Sequence, residues 1–109
     1  MEPNEYQRLA ARTCLDRAGF ELNSLEMMLA WDALGLAGEA GEVADLVLFS
    51  EPGTEEMKKE LGDVLWYLSA IATHSGFTLS EVSEKSIGGL IAHTSMPFGL
   101  GLAAESGKV

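Results

Sequence analysis

Two stretches of the chain decide the fold, and they read ALGLAGEAGEVAD over residues 33–45 and KELGDVLWYL over residues 59–68. In both stretches apolar residues return every three or four positions, which is the spacing of one face of an α-helix. Each stretch also holds a pair of acidic residues three positions apart: Glu39 with Glu42, and Glu60 with Asp63. Residues at this spacing share a helix face, so we predict two amphipathic helices that each present two carboxylates.

Capping signals divide the chain into four helices joined by short loops. Four residues can cap the N-termini of successive helices: Asn4, Asn23, Thr54 and Thr78. Gly19 and Gly76 suit the C-termini of the first and third helices. The sequence shows no sustained alternation of apolar and polar residues of the kind that strands have. We therefore predict an all-α protein, with a four-helix bundle over residues 1–95 and a loosely ordered tail over residues 96–109.

The composition is that of a small, acidic, folded domain. The chain has 109 residues, 47% of them hydrophobic, and a formal net charge of −10. Such a surface repels a phosphate backbone, so nucleic acid is excluded as a first hypothesis for the partner. The single cysteine, Cys14, cannot form an intramolecular disulfide. No apolar run approaches the ~20 residues of a membrane span, and the N-terminus lacks a signal-peptide pattern, so we expect a cytoplasmic protein that does not bind membranes.

Apolar residues of the third helix form a stripe that we expect to be core: Met57, Leu61, Val64, Leu65, Leu68, Ile71 and Ala72. A single bundle of this size buries only about 60–70% of its unfolded surface. With Trp31, Trp66 and many leucines to bury, we expect some apolar surface to lie against another copy of the chain.

The four carboxylates of the two pairs are a candidate site for a divalent metal, since Mg²⁺ and Mn²⁺ prefer oxygen ligands. Bound cations would also hold an anionic phosphate against this acidic protein. Glycine inside a helix costs about 1 kcal/mol relative to alanine, so the glycines here indicate close helix approach beside a ligand. They are Gly35, Gly38, Gly41 and Gly62. The alternative is a solvated acidic face, because acidic pairs at this spacing are common on helices.

The two stretches resemble the ExxE and ExxD motifs of the MazG-like nucleotide pyrophosphohydrolases. Tyr6-Gln7 and residues 10–13 are similar to the first helix of that family, so the resemblance covers roughly residues 4–87. It implies an all-α bundle that assembles as a homodimer or homotetramer. It also implies Mg²⁺-dependent hydrolysis of a nucleoside triphosphate between its α and β phosphates, which yields a nucleoside monophosphate and pyrophosphate and removes unwanted nucleotides.

The resemblance also implies roles for individual residues. The metal-binding and catalytic residues would be Glu39, Glu42, Glu60 and Asp63, with Mn²⁺ able to replace Mg²⁺ and with Glu39 favoured as the base. Lys59, Lys85 and Trp66 are candidates for substrate binding. A solvated lysine or a packed tryptophan is the alternative for each of these three.

Several basic positions of the family are occupied by other residues in this chain. Leu48 lies where many relatives carry lysine after the first motif, and the basic or polar residues of the fourth helix are replaced by Ser86, Gly89 and His93. A second hypothesis is therefore a catalytically weak or inactive helical oligomer that binds metal or nucleotide. A third is a purely structural dimerisation unit with solvated carboxylates.

Overall fold

A computed structural model describes residues 1–14 and 24–94, with side chains described as far as residue 89 in the last helix. These residues form four α-helices: α1 (Pro3–Cys14), α2 (Leu25–Phe49), α3 (Glu55–Ser75) and α4 (Leu79–Thr94). The described ranges contain no strand, which confirms the predicted all-α class. Asn23, Gly19 and the tail over residues 96–109 lie outside the described residues.

Side-chain and glycine caps fix the ends of α2 and α3. Ser24 is the N-cap of α2, and its Oγ accepts a hydrogen bond from the Met27 N–H at 3.1 Å. The predicted cap at Asn23 is therefore wrong by one residue. Thr54 caps α3 as predicted, and Gly76 ends it in the left-handed region at φ 85°, where glycine avoids the Cβ clash that other residues meet.

The chain divides into two compact units, Met1–Leu79 and Ser80–Val109. In the first unit, α2 and α3 form an antiparallel pair, because residues early in α2 face residues late in α3. α1 packs against α3, where the Trp66 indole N–H donates to Thr13 Oγ1 at 2.7 Å. No helix of the described ranges is long and apolar enough to cross a membrane.

One glutamine ties α1 to the end of α3. The Gln7 amide donates to Thr73 Oγ1 at 3.1 Å and to the Phe77 carbonyl at 2.8 Å. Its carbonyl oxygen accepts from the Leu79 N–H at 2.8 Å. Gln7 is buried, so these three bonds satisfy a polar side chain that would otherwise be costly to remove from water.

The buried set differs from the predicted core stripe. The buried apolar residues in the described ranges are small apart from one leucine: Ala10, Ala70, Ala72 and Leu79. Leu61, Leu65 and Leu68 remain 52%, 40% and 45% exposed, so their assignment to the core is wrong within one chain. The reason is that α1 and α2 contact α3 through other faces, those of Trp66 and Tyr67.

Candidate functional site

Three of the four predicted carboxylates converge where α2 and α3 face each other. Glu39, Glu42 and Glu60 each offer a carboxylate oxygen, and these atoms all lie within 4.8 Å of one another. The spacing of three residues puts Glu39 and Glu42 on one face of α2, and the antiparallel pairing brings Glu60 opposite them. Glu60 is buried, Glu39 half-buried and Glu42 exposed. The three glutamates are called the carboxylate cluster below.

The fourth predicted ligand, Asp63, lies one helical turn beyond Glu60 and outside this group of three. Its Oδ2 is paired with Lys59 Nζ at 3.1 Å, and the same ammonium lies 3.3 Å from Glu60 Oε2. The negative charge of Asp63 nevertheless reaches the cluster, since it contributes to the raised pKa of Glu39. Its role as a ligand stays a prediction.

The cluster is an assembly of like charges that a proton or a cation would relieve. The pKa of Glu39 is raised to about 7, mainly by a hydrogen bond with Glu60 and then by burial and the charges of the neighbouring acidic groups. Among the described residues, Glu39 Oε1 and Glu60 Oε1 are buried without a hydrogen-bond partner. Ionised carboxylate oxygens only accept hydrogen bonds, so two facing carboxylates cannot satisfy each other without a proton or cation between them.

A cleft of about 190 Å³ opens beside the cluster. It is lined by Glu42, Asp45, Leu46, Glu56 and Glu60. Four of these five residues are acidic, so an anionic ligand would need bound cations to enter it. Asp45, three residues after Glu42 on α2, forms part of this acidic wall.

The ring of Tyr67 lies against Gly35 of α2, a contact that was not predicted from the sequence. A Cβ on Gly35 would overlap the ring of Tyr67, so close helix approach is confirmed at this glycine. The prediction of close helix approach is wrong for Gly38, Gly41 and Gly62, since each has open space where a Cβ would stand, and room for a ligand beside them stays a prediction. Gly35 lies one turn before Glu39 and Tyr67 one turn after Asp63, which was the signal available in the sequence.

A second tyrosine, Tyr6, is also affected by the charge of the site. Tyr6 of α1 has a raised pKa, first because it is partly buried and then because of the negative charge of Asp63. α1 therefore brings the Tyr6 hydroxyl close enough to Asp63 for the aspartate charge to affect its pKa. The sequence singled out Tyr6 only through the similarity of Tyr6-Gln7 to the first helix of the family, and its proximity to Asp63 was not predicted.

The predicted substrate-binding residues occupy different environments. Trp66 is half-buried, bonded to Thr13, and packed edge-to-face on Tyr67 with ring centroids 5.0 Å apart. Lys59 lies beside the cluster, and Lys85 is exposed on α4. Leu48 is 70% exposed near the end of α2, and Ser86 and Gly89 are exposed on α4, while the His93 side chain lies outside the described residues.

Comparison with known proteins identifies the family to which α3 and most of α2 and α4 are similar. A profile of the MazG nucleotide pyrophosphohydrolase domain matches residues 31–92. A protein of Mycobacterium phage L5 named Gene 37 protein is 29% identical over 96 residues, which cover 80% of this chain and 83% of that protein. No solved structure matches the chain. The matched residues include the whole of α3 and all four predicted carboxylates.

Proposed function

Since this chain belongs to the MazG nucleotide pyrophosphohydrolase family, we propose that it hydrolyses nucleoside triphosphates between the α and β phosphates with the help of Mg²⁺. The observation that carries the proposal is the convergence of Glu39, Glu42 and Glu60 within 4.8 Å. The products would be a nucleoside monophosphate and pyrophosphate. Such an activity would remove surplus or unwanted nucleotides, and the cytoplasm is where we propose that it acts.

The residues present fit a divalent metal. Oxygen is the ligand type that Mg²⁺ and Mn²⁺ prefer, and two buried oxygens of the cluster lack a partner among the described residues. We propose Glu39, Glu42 and Glu60 as ligands, with Asp63 joining them from the next turn of α3. When bound, Mg²⁺ would neutralise the triphosphate, polarise the α-phosphorus and lower the pKa of the attacking water.

The chain's own residues would supply the proton transfer and the binding surface. A carboxylate oxygen that the metal does not engage can act as a general base, and Glu39 Oε1 is buried without a hydrogen-bond partner among the described residues. We therefore propose that Glu39 accepts the proton of the water whose oxygen bonds to the α-phosphorus. The bond from that phosphorus to the bridging oxygen breaks, and pyrophosphate leaves. The Tyr67 ring, with Trp66 against it, is the apolar surface that we propose for the nucleoside.

Lys85 stays a proposal for phosphate binding on α4, where its side chain is exposed. The second candidate function is a weak or inactive metal- or nucleotide-binding protein. It is favoured by the occupants of the family's basic positions, of which exposed Leu48 is the clearest. An apolar side chain there offers no charge to a phosphate.

We propose that the protein works as a homodimer or homotetramer. The supporting observation is the row of Leu61, Leu65 and Leu68, which share one face of α3 and are all at least 40% exposed. Monomers rarely leave contiguous apolar patches of more than a few hundred Å² in water. A second copy is the occupant that the small single-chain core favours. Sedimentation equilibrium would test this, and Leu65→Glu should shift the protein to monomers.

Pyrophosphate release from a panel of nucleoside triphosphates, with and without Mg²⁺, tests the proposed reaction. Glu42→Gln removes one carboxylate of the cluster and should lower kcat/KM by at least about 100-fold, since even residues that only orient metal ligands are worth 10- to 100-fold. Glu51→Gln is the matched control, because Glu51 is an exposed residue in the turn after α2. If Glu42→Gln keeps full turnover, the site assignment is wrong. If the wild-type protein binds Mn²⁺ but releases no pyrophosphate, the second candidate replaces the first.

A further inference from the structure

Lys59 lies beside the carboxylate cluster and pairs with two of the predicted metal ligands. Its Nζ is 3.3 Å from Glu60 Oε2 and 3.1 Å from Asp63 Oδ2, while its side chain stays 67% exposed. The preceding residue, Lys58, pairs instead with Glu55 at 3.1 Å. In the described part of the chain, Lys59 is the basic residue that forms ion pairs with the predicted ligands.

We propose that Lys59 is a tethered counter-cation that competes with the divalent metal for Glu60 and Asp63 and then moves to the polyphosphate of the substrate. The competition involves only the metal and this chain, and it does not depend on nucleotide hydrolysis. The transfer to the polyphosphate rests on the proposed function. The two parts are therefore tested by separate measurements.

Competition follows from charge and from the oxygens involved. A metal that binds Glu60 and Asp63 takes carboxylate oxygens that the ammonium of Lys59 now contacts. A unit charge and a divalent charge about 5 Å apart repel enough, even in a water-like dielectric, to weaken binding by about tenfold. The pair is exposed on the lysine side, and exposed ion pairs are weak. The metal can therefore displace the ammonium, at reduced affinity.

Transfer follows from what Lys59 can reach once it is displaced. Its ammonium carries three donors on a flexible four-carbon stem, which suits a point contact with a phosphate oxygen. Its backbone is fixed on α3 beside Glu60, so the ammonium cannot leave the neighbourhood of the metal site. A chain with a net charge of −10 has few other cations to place there. The polyphosphate would thus gain the lysine that the metal displaced.

This exchange couples the two ligands. If Lys59 opposes the metal but favours the polyphosphate, the polyphosphate raises metal affinity by removing the competitor. By thermodynamic reciprocity, the metal raises polyphosphate affinity by the same factor. The site would bind metal weakly when empty of nucleotide and firmly when nucleotide is present.

Mn²⁺ binding without nucleotide tests the competition, measured by the paramagnetic resonance signal of free Mn²⁺. Lys59→Met should bind Mn²⁺ about five- to tenfold more tightly than the wild type. Lys58→Met, which removes the same charge from the adjacent residue, should stay within about twofold because Lys58 pairs away from the cluster. Equal affinity in Lys59→Met and wild type overturns the proposal while leaving the hydrolytic function standing. Absence of Mn²⁺ binding in every variant overturns both.

Inorganic tripolyphosphate tests the transfer, with calorimetry in saturating Mg²⁺. Lys59→Met should bind tripolyphosphate about fivefold more weakly than both the wild type and Lys58→Met, since one charge-assisted contact is lost. This is the opposite direction from the Mn²⁺ result, and a general disturbance of the fold would not produce both. Equal tripolyphosphate affinity in all three proteins overturns the transfer.

Discussion

Replacement of Asp32 by alanine is expected to destabilise the fold by about 3 kcal/mol, because it breaks a buried polar pair between α2 and α3. The Asp32 side chain is completely buried, and its Oδ2 lies 2.6 Å from His74 Nδ1. Removal of one partner from such a pair costs about 3–5 kcal/mol. His74 keeps 15% of its side chain exposed, so water can partly satisfy it, which places the expected loss at the lower end.

Thermal denaturation followed by circular dichroism, at one fixed protein concentration, measures this loss. For a domain of up to about 100 residues, 1 kcal/mol shifts Tm by about 4–8 °C, so Asp32→Ala should melt about 12–24 °C below the wild type. Asp45→Asn is the matched control, since Asp45 is an exposed aspartate on the same helix. Its Tm should stay within about 2 °C of the wild type or rise slightly, because it also relieves repulsion with nearby carboxylates.

A double-mutant cycle separates the pair from the cavity that alanine leaves. Asp32→Ala, His74→Ala and the double variant should give a coupling energy of at least about 1 kcal/mol for two groups in direct contact. If the free energy of unfolding of Asp32→Ala lies within about 0.5 kcal/mol of the wild-type value, the buried pair does not hold α2 on α3. The pairing of these helices, which brings Glu60 opposite Glu39 and Glu42, would then depend on other contacts.

Three further predictions concern the remaining buried contacts and the cluster. Folding raises the Glu39 pKa from 4.5 to about 7, so the metal-free folded state binds a proton that the unfolded state has lost, and Tm should fall as the pH rises from about 5 to about 8. Millimolar Mg²⁺ should reverse this trend, because it binds the deprotonated form. Gly35→Ala should lower stability by about 1 kcal/mol or more because its Cβ overlaps Tyr67, whereas Gly38→Ala should raise it by about 0.5–1 kcal/mol, as urea denaturation would measure. Gln7→Ala should lose about 2–3 kcal/mol in the same assay, since it removes the three hydrogen bonds of the buried Gln7 side chain.

The local features of the fold could be predicted from the sequence because they depend on neighbours along the chain. The cap at Thr54 and the left-handed end at Gly76 need only a side chain or a glycine within one turn. The pairs Glu39–Glu42 and Glu60–Asp63 share helix faces for the same reason. The acidic surface was therefore predictable, and so was the all-α class.

The contacts between helices could not be predicted, since spacing within a helix says nothing about its register against another. Asp32 and His74 meet across α2 and α3, and each was unremarkable in its own helix. Leu61, Leu65 and Leu68 were assigned to the core because apolar residues are normally buried, yet α1 and α2 pack on other faces of α3. Asp63 has the right spacing for a ligand, but the lysine four residues before it also has the right spacing for an ion pair.

The bonds of Gln7 have a consequence for how the chain is made. The partners of Gln7 lie 66 to 72 residues later in the sequence. At a synthesis rate of about 5–20 residues per second, Gln7 waits roughly 4–14 s for Leu79 to be made. α1 can first contact α3 through Thr13 and Trp66, and its docking through Gln7 would be completed only when Leu79 is made. A nascent chain that stops before Leu79 would leave Gln7 without one of its three hydrogen bonds, and α1 would be held less firmly on α3.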